Sequence, residues 1–456
     1  MVRSAAELSI SVQALHVGGL DLGGMPWRLL TLLLIGQLLA SMDASILTVA
    51  TPVLQRELDA SPTMLQAIFA AYTFTFGVLV VTGARLGDDR GHGNMFLAGL
   101  AGFTVSSLVC GLAPSAPVLL CGRLLQGACG ALMTPQTLQV IQRRFSGGAR
   151  VRAVGLYSMI LSVGVLFGQL VGGVVVTTAG WRWALLINVP LGTVLFLAAF
   201  GMLRGEPPGR GRRLDVLGVA LLSGAMALLL VPLLLGREQG WPWWVWPSLL
   251  AGAALLAVFA RVERRRPAPL LDLTVLPSVS RGLVTVAGVM GSYGALLFAL
   301  TLHLQDDLGY TPLRAGLAFA PYAAGFAAMS LSRWRPPGAV GPLALGCGAL
   351  LVAALGWSAW SEVVLFVAGA GHAAGFSPVV AATVARVRPE HAPEATALLT
   401  TGALLAQAVA IATLGSVYLT WGLTATAVGI AGVCGVAALA SSPLRRPLAG
   451  PVVASR

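Results

Sequence analysis

Residues 116–141, APVLLCGRLLQGACGALMTPQTLQVI, form a long apolar run that contains a single charged residue, Arg123. About 20 apolar residues are enough for a helix to cross a bilayer, so the run predicts a transmembrane helix. On that helix Arg123, Gln126, Gly127 and Gly130 share one face. An arginine within hydrocarbon costs from about 2.5 to more than about 10 kcal/mol. We therefore expect this face to meet protein or a water-filled path.

The composition of the whole chain indicates the same class. Of its 456 residues 57% are hydrophobic and 10% are charged, whereas soluble proteins carry about 25% charged residues. The net charge of +12 comes from arginines spread between apolar runs, which does not favour a nucleic-acid partner. Because the sequence has neither a metal-ligand motif of the HExxH type nor a nucleotide-binding loop, we expect no enzymatic activity, metal or cofactor. The fold class predicted is an all-α polytopic membrane protein.

Fourteen apolar runs are long enough to be membrane-spanning helices, numbered here as predicted helices 1 to 14. They are residues 28–54, 62–86, 94–112, 117–142, 152–177, 182–203, 214–235, 243–262, 281–304, 312–332, 339–357, 361–385, 394–419 and 421–441. Long basic connectors flank predicted helices 7 and 8, which divides the chain as 6+2+6. Two six-helix halves are the repeat arrangement of facilitator-type transporters.

The arginines predict the orientation. With the N-terminus inside, 24 of the 29 lie in cytoplasmic segments, four lie outside and Arg123 lies in the membrane. Both termini are therefore expected in the cytoplasm and the chain in the cytoplasmic membrane. The predicted domains are a cytoplasmic N-terminal segment (1–26), a six-helix bundle (27–203), two additional helices with their connectors (204–280), a second six-helix bundle (281–441) and a cytoplasmic tail (442–456).

Asp43 interrupts a run in predicted helix 1 that is otherwise uncharged from Leu29 to Leu54. A buried carboxylate is costly unless a cation lies beside it, and such a group can change its protonation state. Asp43 and Arg123 each lack a partner within their own helix and lie in the outer half of the membrane. We therefore predict that they form a pair, either a proton-coupling pair or a static structural one.

Four motifs make the chain resemble the fourteen-helix drug:proton antiporter family of the major facilitator superfamily. They are MDASILTVATP (42–52), RLLQG (123–127), WRWALLINVPLG (181–192) and LQDDLGYTPLRAGLAFAP (304–321). The resemblance implies the major facilitator fold, a proton-coupling role for Arg123 and export of drugs or antibiotics. It also implies that helices 1, 4, 9 and 12 line the cavity.

The loop ARLGDDRGHGN (84–94) departs from the family pattern. It resembles the family's charged latch between the halves and keeps Asp88 and Gly91. It has Asp89 in place of the arginine, and a histidine and a glycine (92 and 93) in place of a basic pair. Arg90 is therefore the residue that can partly substitute for the missing basic side chains.

A second motif, GVLFGQLVGG (164–173) in predicted helix 5, resembles the antiporter motif of the family but has Gln169 in place of proline. Its glycines still predict close helix packing, whereas the proline kink is lost. The packing glycines are Gly164, Gly168 and Gly172, and Gly173 completes the motif.

Several polar residues within the predicted helices are candidates for the substrate cavity, and each has the alternative of bonding neighbouring helices together. His372, in the middle of predicted helix 12, is a candidate for binding substrate or a proton. The candidates are Gln126, His372, Gln37, Tyr72, Gln169 and Tyr293.

The function expected is proton-coupled efflux of a hydrophobic or amphiphilic small molecule by alternating access. The alternative is a facilitator or proton symporter for a small metabolite, which shares the fold. The expected partners are the substrate, protons and the lipid bilayer. The proton gradient is the expected energy source, and the expected oligomeric state is a monomer.

Overall fold

The computed structural model describes residues 25–205, 215–266, 269–332, 334, 336–388 and 391–442, and all regular elements within them are helical. The predicted tail from 443, the N-terminal segment up to residue 24 and most of the 204–213 connector lie outside the described residues. The helices are α1 Met25–Ile46, α2 Thr51–Leu58, α3 Pro62–Arg90, α4 His92–Gly111, α5 Ala116–Arg144, α6 Gly147–Ala179, α7 Trp181–Leu186, α8 Asn188–Leu203, α9 Val216–Glu238, α10 Val245–Glu263, α11 Leu276–Leu302, α12 Pro312–Ala318, α13 Ala320–Leu331, α14 Val340–Leu355, α15 Ala359–Val384 and α16 Ala392–Ser441.

Every predicted membrane-spanning run contains helix, and ten helical segments of the described chain are long and apolar enough to cross a membrane. Three runs are not among these ten segments. The run at 152–177 lies within the 33-residue α6, Val340–Leu355 is a shorter apolar helix, and the run at 312–332 is divided into α12 and α13. Predicted helices 13 and 14 both lie within α16, whose backbone is non-helical at Gly422 (φ +78°), so they are two helices separated by a kink. A multi-pass, all-helical membrane protein is therefore established.

Two runs expected to be single helices are interrupted. The run at 28–54 ends its α-helix at Ile46, passes through a 3₁₀ turn at Thr48–Ala50 and continues as α2, which has Pro52 in its first turn. Proline has no N–H to donate to the preceding turn, so it permits a kink or a break on its N-terminal side. The run at 182–203 breaks at Ile187, three residues before Pro190, and α8 starts at Asn188.

The helices pack as two groups joined along α3 and α16. In the first group α1 packs on α6, and α3 and α4 pack on α5; in the second group α11 packs on α16, and α13 and α14 pack on α15. The α9–α10 hairpin lies against the junction, because Leu230 and Leu234 share a buried cluster with Ala408 and Ala412 of α16. Helix α9 of the hairpin contacts α3 of the first half as well as α16 of the second half.

Candidate functional site: a buried ion pair between α1 and α5

The predicted pair exists in the structure. The Arg123 guanidinium on α5 donates through Nη1 to Asp43 Oδ2 on α1. The Asp43 side chain is fully buried and that of Arg123 is 1% exposed, so neither charge is solvated by bulk water. A buried ion pair persists only where further hydrogen bonds satisfy its remaining donors and acceptors.

Two amides provide those hydrogen bonds. Asp43 Oδ1 accepts from Asn188 Nδ2 at 2.8 Å and from Gln126 Nε2 at 3.1 Å. The Gln126 side-chain oxygen accepts from Arg123 Nη1 at 2.7 Å, and its nitrogen also donates to Ser107 Oγ at 2.7 Å. Gln126 therefore touches both charges at once. The network joins α1, α4, α5 and α8 at one buried point.

An aromatic ring adds to the environment of the cation. The guanidinium carbon of Arg123 lies 4.6 Å from the centre of the Tyr72 ring on α3, and the Tyr72 hydroxyl donates to the Ala40 carbonyl at 3.3 Å. A desolvated cation–π contact contributes about 2 kcal/mol. Tyr72 therefore lies beside the ion pair and links α3 to α1.

The helix break after Asp43 is supported by three hydroxyl groups. Ser45, Thr48 and Thr51 donate to the carbonyls of residues 42, 45 and 48 at 3.2, 2.6 and 2.6 Å. Such bonds satisfy carbonyls in a stretch where the α-helical ladder is interrupted, and they bend helices. The break in the run at 182–203 places Asn188 at the start of α8, where its side-chain amide donates to Asp43.

Three glycines of α6 pack on the first helix of the same half. Gly164, Gly168 and Gly172 lie against residues 41 to 49 of the first run so closely that a side chain on any of them would clash. Gln169, which stands in place of the family's proline, donates to Thr48 Oγ1 at 2.6 Å. It therefore ties α6 to the 3₁₀ turn that follows the Asp43 helix.

Gly173 differs from the other three glycines of the motif because it faces the second half of the protein. A side chain at Gly173 would collide with the backbone of α12 at Pro312 and Leu313. Gly316 of α12 in turn lies close to the Gln169 carbonyl and to the Cα of Gly173. Small residues on both helices allow such close approach. Close packing was predicted for the other three glycines and not for Gly173, whose partner belongs to the other half and is separated from it by about 140 residues of chain.

The loop between α3 and α4 forms a polar cluster. Gly91 has φ +91° and caps both helices. The Asp88 carboxylate lies 3.3 Å from His92 Nε2 and 3.6 Å from Arg143 Nη2 on α5, and His92 Nδ1 shares a 2.6 Å hydrogen bond with Gln136 Oε1. At the position where the family has a basic loop residue, this chain has His92, which is completely buried and forms a contact between helices. The side chain of Arg90, by contrast, is exposed.

His372 lies in a separate aromatic cluster in the second half. Its Nδ1 shares a 2.9 Å hydrogen bond with the Tyr322 hydroxyl, its ring stacks on Tyr293 at 4.6 Å, and the Phe326 ring meets it edge-on at 4.8 Å. The cluster joins α11, α13 and α15. Gln37, another cavity candidate, donates to the hydroxyl of residue 41 on its own helix at 3.2 Å.

The two halves touch at the face that the arginine count assigns to the outside. The Leu313 amide of α12 donates to Thr177 Oγ1 of α6 at 3.2 Å, and the rings of Phe69 and Phe298 meet at 5.8 Å. A cavity between the halves at this end, lined by residues that include Asp306, measures about 150 Å³. Pockets that bind drug-sized ligands measure about 300–1,000 Å³. This cavity is therefore too small to hold one.

Asn188 and Ser107 were not predicted as site residues. Asn188 lies within the WRWALLINVPLG motif, and it is the one polar residue between Trp183 and Thr193. Its isolation among apolar residues is the feature of the sequence that could have identified Asn188 as a site residue. Ser107, one of two adjacent serines in α4, offers a weaker signal because serine is common inside membrane helices.

A multi-pass bundle in two halves with a desolvated ion pair between helices is the architecture of a secondary membrane transporter. The comparison with protein families identifies which one: residues 33–366 match the model of the Major Facilitator Superfamily. The chain belongs to that superfamily of membrane transporters.

The curated relatives are bacterial. The chain is 36% identical over 312 residues to the probable actinorhodin transporter of Streptomyces coelicolor, which covers 65% of this chain and 53% of that protein. It is 33% identical to the puromycin resistance protein pur8 of Streptomyces alboniger, over 86% of this chain and 81% of that one. The cephamycin export protein CmcT of Amycolatopsis lactamdurans is 39% identical, over 62% and 60%. The chain thus spans about half to two thirds of the length of several of these relatives.

Solved structures agree on the fold. The crystal structure of a peptide transporter, POT, in complex with sulfate superposes with a TM-score of 0.68 and covers 91% of this chain and 94% of that one. The sequence identity is 17%, so the likeness concerns the fold alone.

Proposed function

We propose that this protein is a proton-coupled exporter of hydrophobic or amphiphilic small molecules, of the antibiotic type for which its relatives are named. The observation that carries the proposal is the desolvated Asp43–Arg123 pair, in which a carboxyl group that can gain a proton is held by a cation that cannot lose one. Its geometry allows two states, one with the pair formed and one with Asp43 protonated.

The proposed cycle uses these two states. With the outer end closed, Asp43 is ionised and paired with Arg123, and substrate enters from the cytoplasmic side or the inner leaflet. The loaded protein opens outward and releases its substrate, and a proton from outside then binds Asp43 and resets the protein. The next substrate displaces that proton into the cytoplasm, so Asp43 is again ionised and paired with Arg123. The energy comes from the proton gradient, and the protein acts as a monomer in this scheme.

The proposed topology accompanies this cycle. The chain crosses the cytoplasmic membrane fourteen times in a 6+2+6 arrangement, with both termini in the cytoplasm. The basis is the distribution of arginines in the sequence together with helix in every predicted run. The α9–α10 hairpin is then an addition to the two six-helix halves.

The test is drug-induced proton release from the purified protein, with puromycin, a cephamycin and actinorhodin as probes. Wild-type protein is expected to release protons with at least one probe, and Asp43→Asn is expected to release none because the carboxyl group is absent. Asp59→Asn is the matched control: Asp59 is exposed after α2 at φ +47°, where asparagine is also tolerated.

Two results would contradict the proposal. One is proton release by Asp43→Asn equal to that of the control variant. The other is transport in reconstituted vesicles in which substrate and protons move in the same direction, which is the behaviour of a symporter.

A further inference from the structure

A second cluster of buried carboxyl groups lies at the base of the α9–α10 hairpin, outside the Asp43–Arg123 network. Asp215 precedes α9 and is 3% exposed; its Oδ1 accepts from the Gly218 amide at 2.8 Å and from Arg266 Nη1 at 2.7 Å. Glu263 ends α10 and is 1% exposed, and its Oε2 accepts from the Leu271 amide at 2.8 Å. Each carboxyl group thus has one oxygen satisfied.

The remaining two oxygens lie against the same glycine. Asp215 Oδ2 and Glu263 Oε1 both approach Gly218 so closely that a side chain there would collide with them. Both are buried, and within the described residues no N–H or hydroxyl group donates to either. The two oxygens therefore converge on one buried point beside Gly218. Two ionised carboxylates offer only acceptors, so these two oxygens can satisfy each other only if one of the groups carries a proton.

We infer that Asp215 and Glu263 share one bound proton and form a second proton site on the hairpin, independent of Asp43. Two adjacent buried carboxylates that were both ionised would repel each other strongly, which is why such pairs hold a proton. The described charged groups that face the pair are Arg266 and, on the side of the connector, Arg85.

The surroundings place the proton on Glu263. Burial by itself would raise the pKa of Asp215, but the hydrogen bonds from the Gly218 amide and from Glu263, together with the charge of Arg266, leave that pKa below its ordinary value. Asp215 is therefore the ionised member. Glu263 donates its proton to Asp215 Oδ2 while its other oxygen accepts from Leu271.

The protonated pair fastens the hairpin to the first half of the protein. Glu263 holds the Leu271 amide, and Arg85 of α3 donates to the carbonyls of residues 269 and 270 in the same short segment. The helix that carries Arg85 also carries Tyr72, which lies under Arg123. Loss of the shared proton would place a second negative charge at this junction and weaken it. The existence of this proton site does not depend on the proposed function, whereas any effect of the site on transport does depend on that function.

The direct test is infrared spectroscopy of the purified full chain, through the carbonyl stretching band of a protonated buried carboxyl group. At neutral pH we expect such a band in wild-type protein, its loss in Glu263→Gln and a shifted band in Asp215→Asn. Glu238→Gln is the control on the same hairpin, because Glu238 is exposed at the other end of α9. Spectra in which Glu263→Gln has the same band as Glu238→Gln would overturn the inference.

Thermal unfolding gives a second and independent measurement. Glu263→Gln keeps an N–H donor for Asp215 and an acceptor for Leu271, so its unfolding temperature should stay near that of wild type, whereas Glu263→Ala should unfold at a lower temperature. A group that is protonated in the folded state contributes stability that is lost as pH rises. The wild-type unfolding temperature should therefore fall as pH is raised through the range in which the band disappears, and that of Glu263→Gln should not. Equal pH dependence in the two proteins would refute a shared proton, whatever the result of the Asp43→Asn test.

Discussion

The buried ion pair can be tested by a double-mutant cycle on Asp43 and Arg123. Asp43→Asn leaves the Arg123 cation buried without its anion, and Arg123→Gln leaves the Asp43 carboxylate buried without its cation. Breaking a buried pair by removal of one partner costs about 3–5 kcal/mol. In each single variant the remaining charge keeps one hydrogen bond, from Arg123 to Gln126 at 2.7 Å or from Asn188 to Asp43 at 2.8 Å. We therefore expect each single variant to lose about 3 kcal/mol of unfolding free energy, the lower limit of this range.

The double variant behaves differently because it contains no buried charge. The asparagine and the glutamine that replace the charged pair are neutral amides, which can hydrogen-bond to each other and to Gln126. We expect the loss of unfolding free energy in the double variant to fall short of the sum of the single losses by about 2–3 kcal/mol, at the upper end of couplings between residues in contact. The measurement is the free energy of unfolding of detergent-solubilised protein, titrated with a denaturing detergent.

The exposed pair formed by Arg182 and Glu57, 3.0 Å apart, is the matched control. The Arg182→Gln and Glu57→Gln cycle should give a coupling of about 0–1 kcal/mol, as solvent-exposed pairs do. If the losses for Asp43 and Arg123 add to within about 0.5 kcal/mol, the two charges are independent and the reasoning about the site is wrong.

Four other outcomes are expected. Asn188→Ala removes a hydrogen bond to a charged group worth about 1.5–3 kcal/mol, so the rate of efflux should fall by about tenfold or more; an unchanged rate would exclude Asn188 from the site. His372→Phe should retain drug-induced proton release, because His372 packs with Tyr322 and Tyr293 and not with Asp43; complete loss of release would make it a proton site. A reporter fused at residue 450 should be cytoplasmic, and an extracytoplasmic reading would contradict the topology. Neutral or monovalent compounds should be transported better than a dicationic dye, because the Asp43 carboxylate is occupied by Arg123, and equal transport would disprove this.

The fold could be predicted largely because hydrocarbon permits few backbone structures. Each long apolar run must satisfy its own backbone polar groups, so helix is the expected result, and helix occurs in all fourteen runs. The breaks within runs were not predicted. A proline such as Pro52 or Pro190 in a membrane helix is tolerated either as a kink or as a complete break, and neighbouring side chains decide between these outcomes.

The site was predictable where charge made it conspicuous. Asp43 and Arg123 stand alone in two apolar helices, and burial of both requires that they meet. Asn188 was missed because amides inside membrane helices commonly bond neighbouring helices and do not by themselves indicate a site. Its contact with Asp43 also depends on the break at Ile187, which was not predicted. His92 was interpreted as a loop residue, whereas the packing of α3 and α5 buries it against the side chain of residue 136.

The amides of the network explain how a buried ion pair can also be broken during transport. When Asp43 takes up a proton, Arg123 loses its anion, but Gln126 Oε1 at 2.7 Å still accepts its hydrogen bond and the Tyr72 ring at 4.6 Å still stabilises its charge. One elementary charge crossing a potential of 100 mV supplies about 2.3 kcal/mol. A bare buried cation would cost about 3–5 kcal/mol, more than one proton can provide at that potential. Gln126 and Tyr72 lower this cost towards the energy of a single proton, so the neutral residues of the site make the charged pair reversible.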